Sequence, residues 1–401
     1  MKLLYYLFIA YILMPKINLI PLGGSAFRLT DLIFLAAMLL YLELRGFAFP
    51  KIQALRIYSF FVAFEFFSLV MNGGLGYPFA ILNVLRLLQY TCWAYIGYDL
   101  ARSNFVTPKR FALDMRNITI FLFVWAVLEA THIVPKLGKF SDVQERISLN
   151  TSGPFEISVV ASFLLLVTSD TMPKWMAFTV TLLSQARVTI AALVLLVLKR
   201  YVRILIPFLL LSIPVALLIP WAAIFAGTRL SQIPDPTVAL NGLIWYWNHT
   251  HFVAQTYATG INLEGLYGNR QGELSDVSFA MRAFRWVYAL LATFSTVRST
   301  LIGSGPGSWG AAVDGYYIRL IGEGGIIGAA IFLWFCATML RDKTLDAAIK
   351  SYMICLLITA SFIDIFITDK PMSLLWFYVG FCSQPKALSY RAPKLATSSP
   401  A

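Results

Sequence analysis

What most constrains this chain is its succession of long apolar runs, near 3–20, 29–44, 55–71, 79–100, 112–134, 156–169, 175–199, 202–226, 315–340, 349–368 and 371–383. Most are long enough to cross about 30 Å of hydrocarbon at about 1.5 Å per residue. Hydrophobic residues make up 59% of the chain and charged residues 13%, against about 45–50% and about 25% in an average soluble domain. A water-soluble fold of this length cannot hide so much apolar surface, so lipid must solvate much of it. The expectation is an all-α polytopic membrane protein with about 11–12 transmembrane helices.

The formal charge of +12 does not point to nucleic acid. The basic residues fall in short clusters between apolar runs, as orientation signals do. Cys92, Cys336, Cys355 and Cys382 lie inside or at the ends of apolar runs, a distribution that supports neither disulfides nor thiolate metal sites. Met1-Lys2 and the apolar stretch to Met14 imitate a signal peptide. Pro15-Lys16 stands where small cleavage-site residues belong, so the segment reads as the first membrane helix.

The run from Trp175 to Lys199 decides the topology. As one helix it carries Arg187 to the bilayer centre and sets Lys199, Arg200 and Arg203 opposite Lys174. As two short helices meeting at Ser184-Gln185-Ala186-Arg187, it lets every basic linker share one side: Arg45 and Lys51, Arg102 to Arg110, Lys174, Lys199 to Arg203, Arg341 to Lys350, and the tail. The positive-inside rule makes that side, and both termini, cytoplasmic. Four regions follow: N-terminal membrane helices over 1–226 with a break near 184–187, an extracytoplasmic loop over 227–314, C-terminal membrane helices over 315–383, and a disordered cytoplasmic tail over 384–401. Irregular backbone at the depth of the break needs burial in protein or a water-filled cavity, so an outward-facing cavity is expected there.

Arg187 is the first candidate for chemistry. With Ser184 read as an N-cap, Arg187 falls in the first turn of the following helix, against the helix dipole, and an anionic ligand would resolve that conflict. Ser275 to Phe294 has helical periodicity, with Val277, Met281, Phe284, Tyr288 and Leu291 on one stripe and Ser278, Arg282, Arg285, Ala289 and Ala292 beside it. The second stripe sets two guanidiniums over small residues, although an ordinary solvated face gives the same pattern. GSGPGSWG, Gly303 to Gly310, lacks the ending of a phosphate loop and reads as a tight re-entry into the membrane. Asp314, Tyr316, Tyr317, Arg319 and Glu323 follow, the last two as an i, i+4 pair able to neutralise each other. Arg86 lies within an apolar run, with Glu65 and Glu129 as candidate partners. His249 and His251 lack the companions a metal site needs, and Trp245, Tyr246 and Trp247 form an apolar plate beside them.

The Ser-x-x-Arg break, Arg282-x-x-x-Trp286 in a long loop, GSGPGSWG followed by DGYYIRLIGEGGIIG, and Ser152-Gly153-Pro154-Phe155 together resemble the O-antigen polymerase and ligase superfamily. The resemblance covers Arg146 to Leu340. It implies a GT-C-like fold and a glycosyltransferase without metal or other cofactor, acting on undecaprenyl-diphosphate-linked glycans at the outer face of a bacterial inner membrane. Arginines matching Arg187 and Arg282 would hold the donor diphosphate. Ligases of that family carry a histidine beside Asn before the final helices, where this chain reads Asp314-Gly315-Tyr316. That difference favours a Wzy-type polymerase serving lipopolysaccharide or another surface glycan.

On that expectation Asp314, then Glu323, is the candidate base, Arg187 and Arg282 are catalytic cations, and Arg86, Arg285 and Tyr317 add substrate contacts. The expected partners are lipid-linked donor and acceptor glycans, the bilayer and a chain-length regulator. The alternatives are an O-antigen ligase and a lipid-linked oligosaccharide flippase. The long loop and the lack of an internal repeat speak against the flippase.

Overall fold

A computed structural model describes residues 1–22, 25–46, 50–137, 146–196, 236–258, 277–309 and 313–383. The run 202–226, the whole basic cluster at 199–203, the loop residues 227–235, 259–276 and 310–312, and the tail at 384–401 lie outside the described residues. The described chain is mostly helical. Among the described residues, four helices are long and apolar enough to cross a membrane: α3 (Gln53–Met71), α4 (Pro78–Arg102), α5 (Pro108–Ala130) and α13 (Tyr316–Arg341). The shorter helices are α1 (Lys2–Leu13), α2 (Leu29–Arg45), α6 (Pro154–Val167), α7 (Thr171–Leu183), α8 (Arg187–Leu196), α14 (Ala347–Thr359) and α15 (Asp369–Cys382). In the loop lie α9 (Pro236–Asn248), α10 (Thr250–Ala258), α11 (Val277–Thr293) and α12 (Val297–Ile302).

The first apolar run is not one helix. Pro15 has no N–H to continue α1 and drives Met14 into extended backbone (φ −62°, ψ 132°). The chain then forms an antiparallel hairpin, β1 (Asn18–Leu22) with β2 (Ser25–Arg28), a small addition to the expected all-α architecture. The edge of a two-stranded sheet leaves backbone groups that need partners. Arg86 of α4 supplies one, its Nη2 donating to the Ala26 carbonyl at 2.7 Å.

α15 forms the centre, with every residue from Asp369 to Cys382 buried. It packs along α4, where Gly97 and Gly380 leave no room for a Cβ between the helix backbones. Phe377 stacks on Phe8 of α1 with ring centroids 3.8 Å apart, and Trp376 meets Tyr58 of α3 at 4.8 Å. Because α15 is shielded on every side, its polar first turn never meets lipid.

The expected break is present. α7 ends at Leu183 and α8 starts at Arg187, with Gln185 in left-handed backbone (φ 52°) between them. Ser184 closes α7, its hydroxyl donating to the Thr181 carbonyl at 2.6 Å, while the same oxygen accepts from the N–H of Ala186, just ahead of α8, at 3.4 Å. The Ser184 carbonyl accepts from Arg146 Nε at 3.0 Å, a cation at a helix C-terminus as the dipole favours.

Candidate functional site

α11 forms where the apolar and small-residue periodicity predicts it. Ala283, Phe284, Val287 and Ala289 are buried, and Phe284 meets Tyr246 of α9 edge-on at 5.7 Å. That packing turns Arg282 and Arg285, three residues apart, towards the start of α13. Both meet one carboxylate there: Asp314 Oδ2 lies 3.7 Å from Arg282 Nε and 3.9 Å from Arg285 Nη1.

Asp314 is held by a residue the sequence reading passed over. Asp364, at the end of the turn after α14, accepts from the N–H of Val313 at 2.9 Å and of Gly315 at 3.2 Å. With its neighbours pinned, Asp314 adopts φ 59°, a left-handed conformation that aspartate tolerates better than most residues. Asp364 is held in turn by Arg319 Nη1 at 2.8 Å, and Arg319 Nε donates to Glu323 Oε1 at 3.0 Å. Arg319 is 1% exposed. A guanidinium so enclosed requires anionic partners on its donors, and it has two. Glu323 faces Glu65 of α3 across a cavity of about 20 Å³, lined also by Asn83, Tyr316 and Pro306. That space admits about one water. A string of ionisable groups thus runs from the loop helix into the bundle: Arg282 and Arg285, Asp314, Arg319 with Asp364 and Glu323, then Glu65, where two carboxyl groups face each other.

Burial pushes the Asp314 carboxyl above the ordinary carboxylate range. Arg282 counters that rise, Asp364 adds to it, and Arg285 and Arg319 oppose it. A carboxylate raised in this way suits proton acceptance near neutrality better than an ordinary surface aspartate.

The chain matches no family model, no curated protein and no solved structure.

The other sequence candidates fall as follows. Arg187 is half-buried at the α7–α8 break. Arg86 is committed to the hairpin as described, while Glu129 accepts the N–H groups of Ser148 at 2.7 Å and Leu149 at 2.9 Å. Tyr317 donates its hydroxyl to the Leu357 carbonyl at 2.8 Å, which ties α13 to α14. His249 stacks on Trp245 at 4.2 Å, an aromatic packing role. The Gly303 turn is tight, with Gly303, Gly305 and Gly307 all at positive φ.

A second charge cluster was not foreseen. Lys16 Nζ donates to Glu156 Oε2 at 2.6 Å and also pairs with Asp369, while Arg28 lies 3.5 Å from Asp369. Lys370, fully buried, donates to the carbonyls of Met14 at 2.7 Å and Asn150 at 2.6 Å. Glu156 also accepts from the Ser152 N–H at 3.0 Å and hydroxyl at 2.6 Å, so Ser152 to Phe155 forms the capped entry to α6. The missed signal was ionisable residues at the edges of apolar runs, where Asp364, Asp369 and Lys370 pass for ordinary boundaries.

Proposed function

We propose that the protein is a membrane glycosyltransferase of the O-antigen polymerase type. It transfers a glycan from undecaprenyl diphosphate to the non-reducing-end hydroxyl of a lipid-linked repeat unit. The observation that carries the reading is the convergence of Arg282 and Arg285 on Asp314, a carboxylate fixed from behind by Asp364.

In the proposed reaction the bond between the sugar's anomeric carbon and the diphosphate oxygen breaks, and the diphosphate leaves with the electron pair. The acceptor oxygen bonds that carbon and gives its proton to Asp314. Charge grows on the diphosphate as the bond lengthens, so fixed guanidiniums favour the transition state over the ground state. Arg282 and Arg285 suit this role because the planar guanidinium matches phosphate oxygens in pairs. Before donor arrives, Asp314 keeps the two cations together. When diphosphate draws them off, the carboxylate loses neutralising neighbours and becomes a stronger base. Arg187, at the start of α8, is the proposed third cation. Glu323, tied to Arg319, is a positioning residue in this scheme rather than the base.

The direct test is purified protein with lipid-linked repeat units. Arg187→Ala and Arg282→Ala should each abolish chain growth at normal expression, and undiminished polymer from both would sink the diphosphate role. Polymerisation should persist in excess chelator. A product joined to lipid A core instead of a longer lipid-linked chain would identify a ligase.

A further inference from the structure

The loop's last helix, α12, and the turn after it do not stay outside the bundle. The N–H of Ser304 donates to the Gly322 carbonyl at 2.9 Å and that of Gly305 to the Glu323 carbonyl at 3.0 Å. From α3, Ser68 Oγ donates to the Ile302 carbonyl at 2.6 Å and Asn72 Nδ2 to the Gly303 carbonyl at 3.2 Å. α13 is kinked where the turn meets it, at Gly325 (φ 64°); a Cβ on Gly303 would collide with the Glu323 backbone, and one on Gly325 with that of Leu301.

These partners set a depth. Gly322 to Gly325 lie about 9–14 Å along α13 from Tyr316 at about 1.5 Å per residue. α3, which makes the other half of the contact through Ser68 and Asn72, has 19 residues, about 28 Å at about 1.5 Å per residue, close to about 30 Å of hydrocarbon. Its last turn, and the contact with it, therefore falls at the hydrocarbon boundary. Met71, the last residue of α3, lies at the same level, and its carbonyl accepts from Arg298 of α12. The irregular backbone of 302–305 survives there because α3 and α13 satisfy it.

The outward side of this element is apolar. Phe294, Val297 and Leu301 are 52%, 78% and 44% exposed, and exposed apolar side chains also stand where this element meets the two helices: Met71 of α3, whose carbonyl Arg298 reaches, and Ile326 of α13, next to the Gly325 that abuts the Leu301 backbone. We infer that α12 and the short segment leading into it form a re-entrant element whose Phe294, Val297 and Leu301 face the lipid acyl chains at the membrane boundary. Its occupant is the bilayer, because the patch adjoins two helices long and apolar enough to cross it. Arg298 keeps its charge at the head-group level while its stem lies along the apolar face. The inference depends on the membrane fold alone and not on the proposed transferase chemistry.

The test is full-length protein in phosphatidylcholine liposomes carrying an environment-sensitive fluorophore at Val297→Cys, with signal from the unsubstituted protein subtracted. Leu333→Cys on α13 is the lipid-facing control, and His251→Cys in the loop is the aqueous one. Spin labels on lipid acyl chains should quench the fluorophore at 297 as they do at 333, with protection from aqueous iodide. Iodide quenching as at 251 would overturn the inference, and so would protection from both quenchers, which would mean that protein covers the patch. Leu301→Cys repeats the measurement should the first variant fail to fold.

Discussion

Asp314 is the residue on which the proposed chemistry turns, and its setting gives a signed prediction. A base works only when deprotonated, so activity should fall as pH drops through a limb above the ordinary aspartate value of about 3.9. Asp314→Asn should lower kcat by about 10²–10⁴-fold and remove that limb. Arg285→Gln takes away a cation that holds the carboxyl down, so whatever activity remains should show its limb at higher pH, measured as a pH–rate profile. Asp364 acts one step behind. Asp364→Ala strips Arg319 of a buried partner and frees the Val313 and Gly315 N–H groups, at a cost of about 3–5 kcal/mol read from detergent-solubilised thermal unfolding. Asp364→Asn keeps the shape but loses the charge, and should retain more stability than Asp364→Ala.

At the scale of elements, the α4–α15 crossing depends on two glycines in register. Gly97→Leu forces side-chain atoms into the Phe377 backbone, and Gly380→Leu does the same to Ala94. Either should cost at least about 1–3 kcal/mol, seen as a lowered unfolding temperature. The helix α11 was legible in the sequence because its apolar period survives in a segment bounded by polar residues. The α7–α8 break was legible through charge, since only a break lets the basic linkers agree. The end of α1 was misread: apolar residues resume at Ile17, Leu19 and Ile20 after Pro15-Lys16, and apolarity alone does not separate a helix from the hairpin that Pro15 starts. The double role of Ser184 was not legible, because Gln185 takes up a left-handed conformation that no local pattern demands.

Across the whole molecule, ionisable groups gather at one end of the bundle. Lys16, Arg28, Glu156, Asp369 and Lys370 meet where α1 ends and α6 and α15 begin, and the string from Asp314 to Glu65 lies at the same ends of α3 and α13. At the opposite ends of α2 and α4, Arg45 meets Asp99 at 3.0 Å, with Tyr41 donating to the same carboxylate at 2.8 Å. The proposed topology makes the first end extracytoplasmic. In intact cells, a membrane-impermeant maleimide should then label cysteines at His132 and His251, and reach Lys51, Lys109 and Lys343 only after lysis.

By itself the sequence determined that the chain lives in lipid, where the helix between Ser275 and Phe294 falls, and where the run around Arg187 breaks. Those properties are written in hydrophobic length, period and charge, which are local. Only the tertiary structure decided that Asp364 fixes Asp314, that Lys16, Glu156 and Asp369 form one cluster, and that the last loop helix packs against the end of α3. Each of those pairings joins residues about 50 to more than 350 positions apart, and in a medium with little water a buried charge takes whatever partner the packing of the helices brings to it.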